Sequence, residues 1–432
     1  MYDISQELDD RKLLKLVEKK EKANLSLFVA GKAVSLFGNY IYSFAMSLYI
    51  LRLTGSGTSF ALSIMLSALP GVLFGPVAGF LADRFDRKRM IVTLDFLSGG
   101  VTLTLLTLSM LYGLRLSFLY TTTFLLAIIS TFFNTTFSAA IPNLVSDRKL
   151  VKINSYSRAI DSGSQILGPV LAGVIFGLVS MDIFLLVNGI SFVLSAISEL
   201  FIDFNLNLAD PTQSESSPTS KKSIRANLGE VFSFIRQTPL LALIMPLSVS
   251  INFLIAASLS VILPFFLNQA LGFTSSQYGI VEGAFSLGML IAALIVGRLP
   301  EKPKKRKGLF NAMIGMGFSL IAMGIPGLDV LAHLPKRFLF ITYILLAISF
   351  SLMLLLVDLP LIVLTQRLIP DHMRGKVMGI WSSISTSLTP LGIILAGLTL
   401  ELIPAYVSFF ASGLYFISVA LILYRHRALK DY

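Results

Sequence analysis

The chain has 432 residues, 55% of them hydrophobic and only 14% charged, whereas a soluble protein carries about a quarter charged residues. It therefore lacks the polar surface to cover itself in water, and its formal net charge of +11 is confined to alternate loops, which argues against nucleic acid as the partner. Cysteine is absent, which excludes disulfides, thiolate chemistry and thiol–metal sites. His333, His372 and His426 have no metal-ligand spacing, so no metal or cofactor is expected.

Apolar runs of about 20 residues, the length of a membrane-crossing helix, recur along the chain. They do not alternate polar and apolar as barrel strands do; Ala284 through Ile291 is one example. The expected fold is all-α and integral to the membrane, with twelve transmembrane helices arranged as two six-helix repeats. After a charged tail over 1–24, which lacks the pattern of a removable signal peptide, six spans are expected at 25–51, 57–82, 90–113, 117–141, 153–180 and 182–203. A polar linker follows over 204–238. Within it Ile224, Leu228, Val231, Phe232 and Ile235 share one helical face, which fits either an amphipathic surface helix or a simple extension of the next span. Six more spans fall at 239–269, 275–297, 308–326, 338–366, 377–400 and 402–424, before a short tail over 425–432. The ninth is the weakest, because Pro326 and Gly327 break it.

Basic residues set the orientation. The two tails and the loops after spans 2, 4, 6, 8 and 10 hold 29 of the 35 Lys and Arg residues. Since such residues are retained on the cytoplasmic side, both termini are expected in the cytoplasm of a cell (inner) membrane protein.

An internal repeat supports two halves. Gly79 through Arg89 forms a charged hairpin between spans 2 and 3, and a degraded copy lies 218 residues later at Gly297, Leu299, Glu301 and Lys305 through Lys307. Leu167-Gly168-Pro169 through Gly173 in span 5 answers Leu391-Gly392 through Gly397 in span 11.

These strings carry a family resemblance. Gly79 through Arg89 resembles the loop 2–3 signature of the major facilitator superfamily. Its Asp86-Arg87-Lys88 ending is similar to the drug-exporter branch that contains the macrolide efflux proteins. Leu53 through Ser56, Pro142 through Val145, and Gln366 through Asp371 with Arg374 through Val377 also match, so the resemblance spans essentially the whole chain. Gly168, Pro169 and Gly173 resemble part of the exporters' span-5 antiporter motif. Two positions depart: Asn39 stands where many members of the branch carry an acidic residue, which counts against coupling through span 1, and Asn134 stands where Pro is common.

The resemblance implies secondary active export of lipophilic or amphipathic molecules, drug- or macrolide-like, by alternating access and proton antiport. Lipid, lysolipid or siderophore-type transport is the alternative within the fold. A non-transporting sensor or an intramembrane enzyme is disfavoured, because no reactive groups cluster and no large soluble domain is appended. No phosphate-binding Gly-rich loop occurs either. The expected partners are an amphipathic small molecule, a proton or other coupling ion, and membrane lipid. No nucleic acid is expected, and the protein is expected to be a monomer.

Candidate residues follow. Asp83 can accept hydrogen bonds from exposed amides at a helix N-terminus. By resemblance it would latch the halves near Arg374, together with Gly79, Arg84, Arg87, Lys88 and Arg89; the plainer reading is a topology anchor. Gly163, Gly168, Pro169 and Gly173 suit a close, bendable helix contact, either between halves or in ordinary packing. Among intramembrane charges, which default to functional candidates, Asp95 is expected to link to the basic loop and Asp161 to neutralise Arg158 three residues before it. Glu282 and Asp358 have no evident partner in sequence and are the candidates for proton coupling or cation recognition, the alternative being structural hydrogen bonds. Lys32 would snorkel or balance one of those two acids. Asn39, Asn134, Gln165, Asn188, Asn252 and Trp381 are cavity candidates, the alternative for each being an interhelical bond or an interface anchor.

Overall fold

The computed structural model describes residues 2–204, 224–296, 306–328 and 334–425, and among these there are fifteen α-helices and no strand. Twelve helical segments are long and apolar enough to cross a membrane. The first six helices are α1 (Tyr2–Thr54), α2 (Gly57–Arg84), α3 (Arg87–Tyr112), α4 (Leu116–Leu144), α5 (Asp147–Leu178) and α6 (Met181–Leu200). The charged stretch over 2–24 is continuous with α1, and the part of that helix suited to a bilayer begins at Lys19. Local chemistry sets the ends of α3. Asp86 caps its N-terminus, Oδ1 accepting from Arg89 N at 2.7 Å. Gly113, at φ 74°, closes it in a backbone region that only glycine enters without strain.

After the linker come α7 (Ile224–Gln237) and then a long span opening with α8 (Pro239–Ile255). Pro239 starts a new helix at its first turn, so α7 is a separate element and not an extension of span 7. Val231 and Ile235 of α7 are buried against Leu241, Met245, Ile369 and Val377, whereas Phe232, expected on the same face, is exposed. The span continues through a π-helical stretch at Ala256–Ile262, the short α9 (Leu263–Phe265) and a second π-helical stretch at Phe266–Ala270. Pro264, which cannot donate an intrahelical bond, sits between the two π segments.

Next are α10 (Ser275–Val296), α11 (Arg306–Gly324), α12 (Lys336–Leu368), α13 (Asp371–Ser387), α14 (Thr389–Leu402) and α15 (Ala405–Arg425). Thr274 and Gln277 cap α10 reciprocally, with Thr274 N donating to Gln277 Oε1 at 2.9 Å and Gln277 N to Thr274 Oγ1 at 3.2 Å. The weak ninth span is α11, finished by a 3₁₀ turn at Ile325–Gly327. The eleventh span, expected unbroken over 377–400, is divided between α13 and α14, with Pro390 in the first turn of α14.

The chain forms two compact units: residues 1–46 with 66–217, and 47–65 with 218–432. Each unit contains a helix pair brought very close by glycines. In the first, α3 packs on α6 where Gly99 admits Val193 and Gly189 admits Leu103. In the second, α11 packs on α15 where the backbones of Gly317 and Gly413 meet. Small residues serve this purpose in lipid, where packing and not water exclusion joins helices. The second unit also includes the turn between α1 and α2. There Ser56 Oγ donates to Glu401 Oε1 at 3.0 Å, and Thr58 Oγ1 donates to Gly397 O at 3.3 Å.

A side chain at Gly413 would begin 2.5 Å from the Gly317 carbonyl oxygen, whereas one at Gly100 would meet nothing within 4 Å. Gly413→Leu should therefore destabilise the detergent-solubilised protein by about 1–3 kcal/mol. Gly100→Leu should leave the thermal unfolding midpoint unchanged.

Candidate functional site

The first unit contains a cavity of about 460 Å³ lined by α1, α2 and α4. Asn39 and Tyr40 of α1 and Ser130 and Asn134 of α4 supply its polar wall, and Leu36 and Ala68 are among its apolar surfaces. Two of the six cavity candidates, Asn39 and Asn134, thus come together. Asn134 Nδ2 donates to Ser130 Oγ at 3.2 Å within its own helix, which leaves its carbonyl oxygen for another donor. A third candidate, Gln165 of α5, comes near Tyr40 but is exposed and is not part of the cavity lining.

The other three are elsewhere. Asn188 is buried with its oxygen against Gly38 and its amide nitrogen unpartnered among the described residues. Asn252 Nδ2 donates to Ser248 O at 2.9 Å inside α8. Trp381 packs beside the apolar cluster of α7, α8 and α13.

The intramembrane charges are arranged differently from the sequence expectation. Lys32, expected to snorkel or to balance Glu282 or Asp358, is buried and pairs with Asp161 Oδ1 at 2.8 Å. It also donates to Ser157 Oγ. Asp161 therefore reaches across to α1; it does not serve only to neutralise Arg158, whose side chain is exposed. Spacing within one helix cannot reveal a partner on another helix more than 120 residues away. Asp95 likewise turns inward, accepting from Ser35 Oγ at 2.5 Å, and not toward the basic loop.

Glu282 does have a partner, because Tyr278 one turn earlier donates to Oε2 at 3.2 Å. No hydrogen bond or ion pair reaches Asp358 among the described residues. The two acids are not adjacent. Phe273, just before α10, meets Phe340 at 6.0 Å and Phe285 meets Phe350 at 6.2 Å, so α10 and α12 run parallel and the acids sit about 20 Å apart along them at 1.5 Å per residue.

In the span-5 motif, Gly168 admits the Cβ of Tyr40, bringing α5 onto α1 within the first unit. Its counterpart Gly392 in α14 lies against the backbone of Phe253 in α8. The same contact therefore recurs between spans 5 and 1 and between spans 11 and 7. Gly173 is buried, Pro169 is half-buried, and Gly163 faces open space.

The charged hairpin is tied into its own unit. Arg87 Nη1 donates to Ala139 O at 2.8 Å and to Asn143 Oδ1 at 3.2 Å, and Lys88 Nζ donates to Ile202 O at 2.8 Å. Arg84 lies 4.6 Å over the Phe80 ring, Arg89 is exposed, and Gly79 faces open space. The side chains of Asp83 and of residues 371–376, and the second hairpin copy at 297–305, lie outside the described residues.

A family model described as Major Facilitator Superfamily matches residues 28–384 and again 247–431. The chain belongs to this superfamily. It is a multi-pass membrane transporter. It is 24% identical over 398 residues to macrolide efflux protein A of Streptococcus pyogenes, covering 91% of this chain and 93% of that protein. It is 27% identical over 411 residues to the uncharacterized MFS-type transporter YfiS of Bacillus subtilis, covering 93% of each. A third relative, the multidrug efflux pump Tap of Mycolicibacterium fortuitum, is 24% identical over 399 residues, with 90% of this chain and 92% of that protein covered. Among solved structures, a bacterial homologue of the iron transporter ferroportin in an inward-facing state aligns with TM-score 0.66 at 17% identity, over 93% of this chain and 98% of that one.

Removing one partner of a buried ion pair leaves an uncompensated charge, typically costing about 3–5 kcal/mol. The Asp161 side chain is 44% exposed, so Asp161→Asn should cost this transporter less, roughly 1–3 kcal/mol in detergent. Arg158→Gln should have no measurable effect in the same thermal unfolding assay.

Proposed function

We propose that this transporter exports lipophilic or amphipathic small molecules, drug- or macrolide-like, from the cytoplasm by alternating access, in exchange for protons moving inward. The observation that carries the reading is the cavity in the first unit, where Asn39, Tyr40, Ser130 and Asn134 place amide and hydroxyl groups among apolar walls. Such a site solvates the apolar body of a ligand and offers a few hydrogen bonds to orient it. The efflux names of relatives aligned over about nine-tenths of the chain support the direction. The concentration of basic residues in alternate loops supports cytoplasmic termini in the cell membrane. Asp358, with no partner among the described residues, and Glu282, held by Tyr278, are the coupling carboxyls of this proposal. Asp83, with Gly79 and the basic residues of the hairpin, is its conformational latch. The protein acts as a monomer.

Purified protein in vesicles, with a panel of macrolides, lipophilic cations and lysolipids, tests the reading. A pH gradient should drive accumulation of a macrolide or lipophilic cation, and Glu282→Gln or Asp358→Asn should abolish the gradient dependence. Asn39→Ala should weaken binding of that substrate roughly tenfold, the loss of about one hydrogen bond. Accumulation of lysolipid alone, or transport indifferent to the gradient and to both acid variants, would contradict it.

A further inference from the structure

Two more carboxyl groups are buried in the first unit, and neither belongs to the cavity or to the coupling acids. Asp95 of α3 is 2% exposed and Glu199, at the end of α6, is 0% exposed. They share the side of α1 that carries Gly31 and Ser35. Ser35 Oγ donates to Asp95 Oδ2 at 2.5 Å, and Ser35 and Ser195 hydroxyls are 3.0 Å apart. Ser195 Oγ also lies 3.2 Å from Gly31 O. Glu199 Oε1 and Ser195 Oγ both sit against Gly31, 3.4 and 3.6 Å from where its Cβ would be. Neither oxygen of Glu199 has a hydrogen-bond partner among the described residues.

A count of hydrogens shows what the cluster lacks. Each serine hydroxyl has one proton to give. The Ser35 proton goes to Asp95, and the Ser195 proton goes to either Ser35 or the Gly31 carbonyl. Ser195 also lies beside Glu199, but its single proton cannot serve Ser35, the Gly31 carbonyl and both Glu199 oxygens, although buried polar atoms are almost always satisfied.

Among the described residues the nearby cations are engaged elsewhere. Lys32, next to Gly31 on α1, is engaged by Asp161 and Ser157. On α3, Arg87 is bound to carbonyls and Asn143, and Lys88 to Ile202 O. Beyond α6, Asp203 pairs with Lys20, and Glu21 of α1 pairs with Lys149. Two bare carboxylates in one low-dielectric pocket without a cation would be strongly unfavourable.

We propose that Asp95 and Glu199 form a proton-binding site, in which one proton resides on the pair and makes Glu199 a donor toward Ser195. This site goes beyond the coupling acids of the proposed mechanism, being held by α1, α3 and α6 in the first unit, whereas Glu282 and Asp358 lie in the second. Its occupancy bears on α1 directly: a proton lets Gly31 and Ser35 pack against α3 and α6, and its loss sets two negative charges against that face. The opposite charge of Lys32 then remains the anchor of α1 to α5.

Isotope-edited infrared spectroscopy on the full-length Glu282→Gln protein, grown with isotope-labelled glutamate, reads the proton directly. At neutral pH a protonated-carboxyl band that shifts with the glutamate label is expected. That band should disappear when Glu199→Gln is added, and should persist when Asp358→Asn is added instead. Absence of any label-sensitive protonated-carboxyl band would overturn the proposal without any need for the Glu199 variant to fold. The Glu282→Gln background keeps this outcome separate from failure of the coupling reading.

Discussion

The need to pair or neutralise buried charge in a low-dielectric interior organises the first unit around one helix. α1 carries Lys32 on one side, paired with Asp161 of α5. It carries Ser35 on another, bonded to Asp95 of α3 and close to Ser195 of α6. One turn further on, Asn39 and Tyr40 of the same helix face the cavity. Interhelical polar contacts in membranes are individually modest, roughly 0.5–2 kcal/mol. Several on one helix nonetheless fix its rotation, and rotation decides which residues face the cavity. The apolar wall of Phe28, Phe133 and Phe137, stacked at 4.8–5.0 Å, completes the seating of α1 against α4.

The second unit reaches a comparable arrangement with no charged residue fully buried among the described residues. Its pair α11 and α15 meets through glycine backbones as α3 and α6 do through Gly99 and Gly189. Its span-11 glycine, Gly392, lets α14 onto α8 as Gly168 lets α5 onto α1. Where the first unit has an ion pair on its leading helix, the second has π-helical segments around Pro264 and the hydroxyl pair of Ser258 and Ser412 at 3.0 Å. The repeat is therefore one of packing positions more than of chemistry, as expected if the two halves diverged in their polar work while keeping close contacts that tolerate little change.

Hydropathy alone made the number of spans legible, because a bilayer demands a fixed apolar length and each of the twelve supplies it. The glycine repeat between spans 5 and 11 was legible as a spacing, and the structure attaches a helix partner to each copy. Charge partners were not legible. Sequence spacing sets Asp161 beside Arg158 and offers Glu282 no partner, yet one partner lies on α1 and the other one turn earlier on α10. Glu199 stands at the end of span 6, where its sequence neighbours give no sign of burial; packing against Gly31 buries it completely. The break within the eleventh span falls beside Pro390, but Pro142 and Pro169 lie inside continuous helices, so a proline alone does not mark a break.

A double-mutant cycle on Lys32 and Asp161, read by thermal unfolding in detergent, tests most directly whether this pair anchors α1. Lys32→Met, Asp161→Asn and the double variant should give a coupling energy of at least about 1 kcal/mol, because residues in direct contact are non-additive. The double variant should then unfold at a higher temperature than Asp161→Asn alone. Strictly additive effects would contradict the account, since they would mean that α1 is seated by its apolar contacts and that the buried pair contributes nothing to its position.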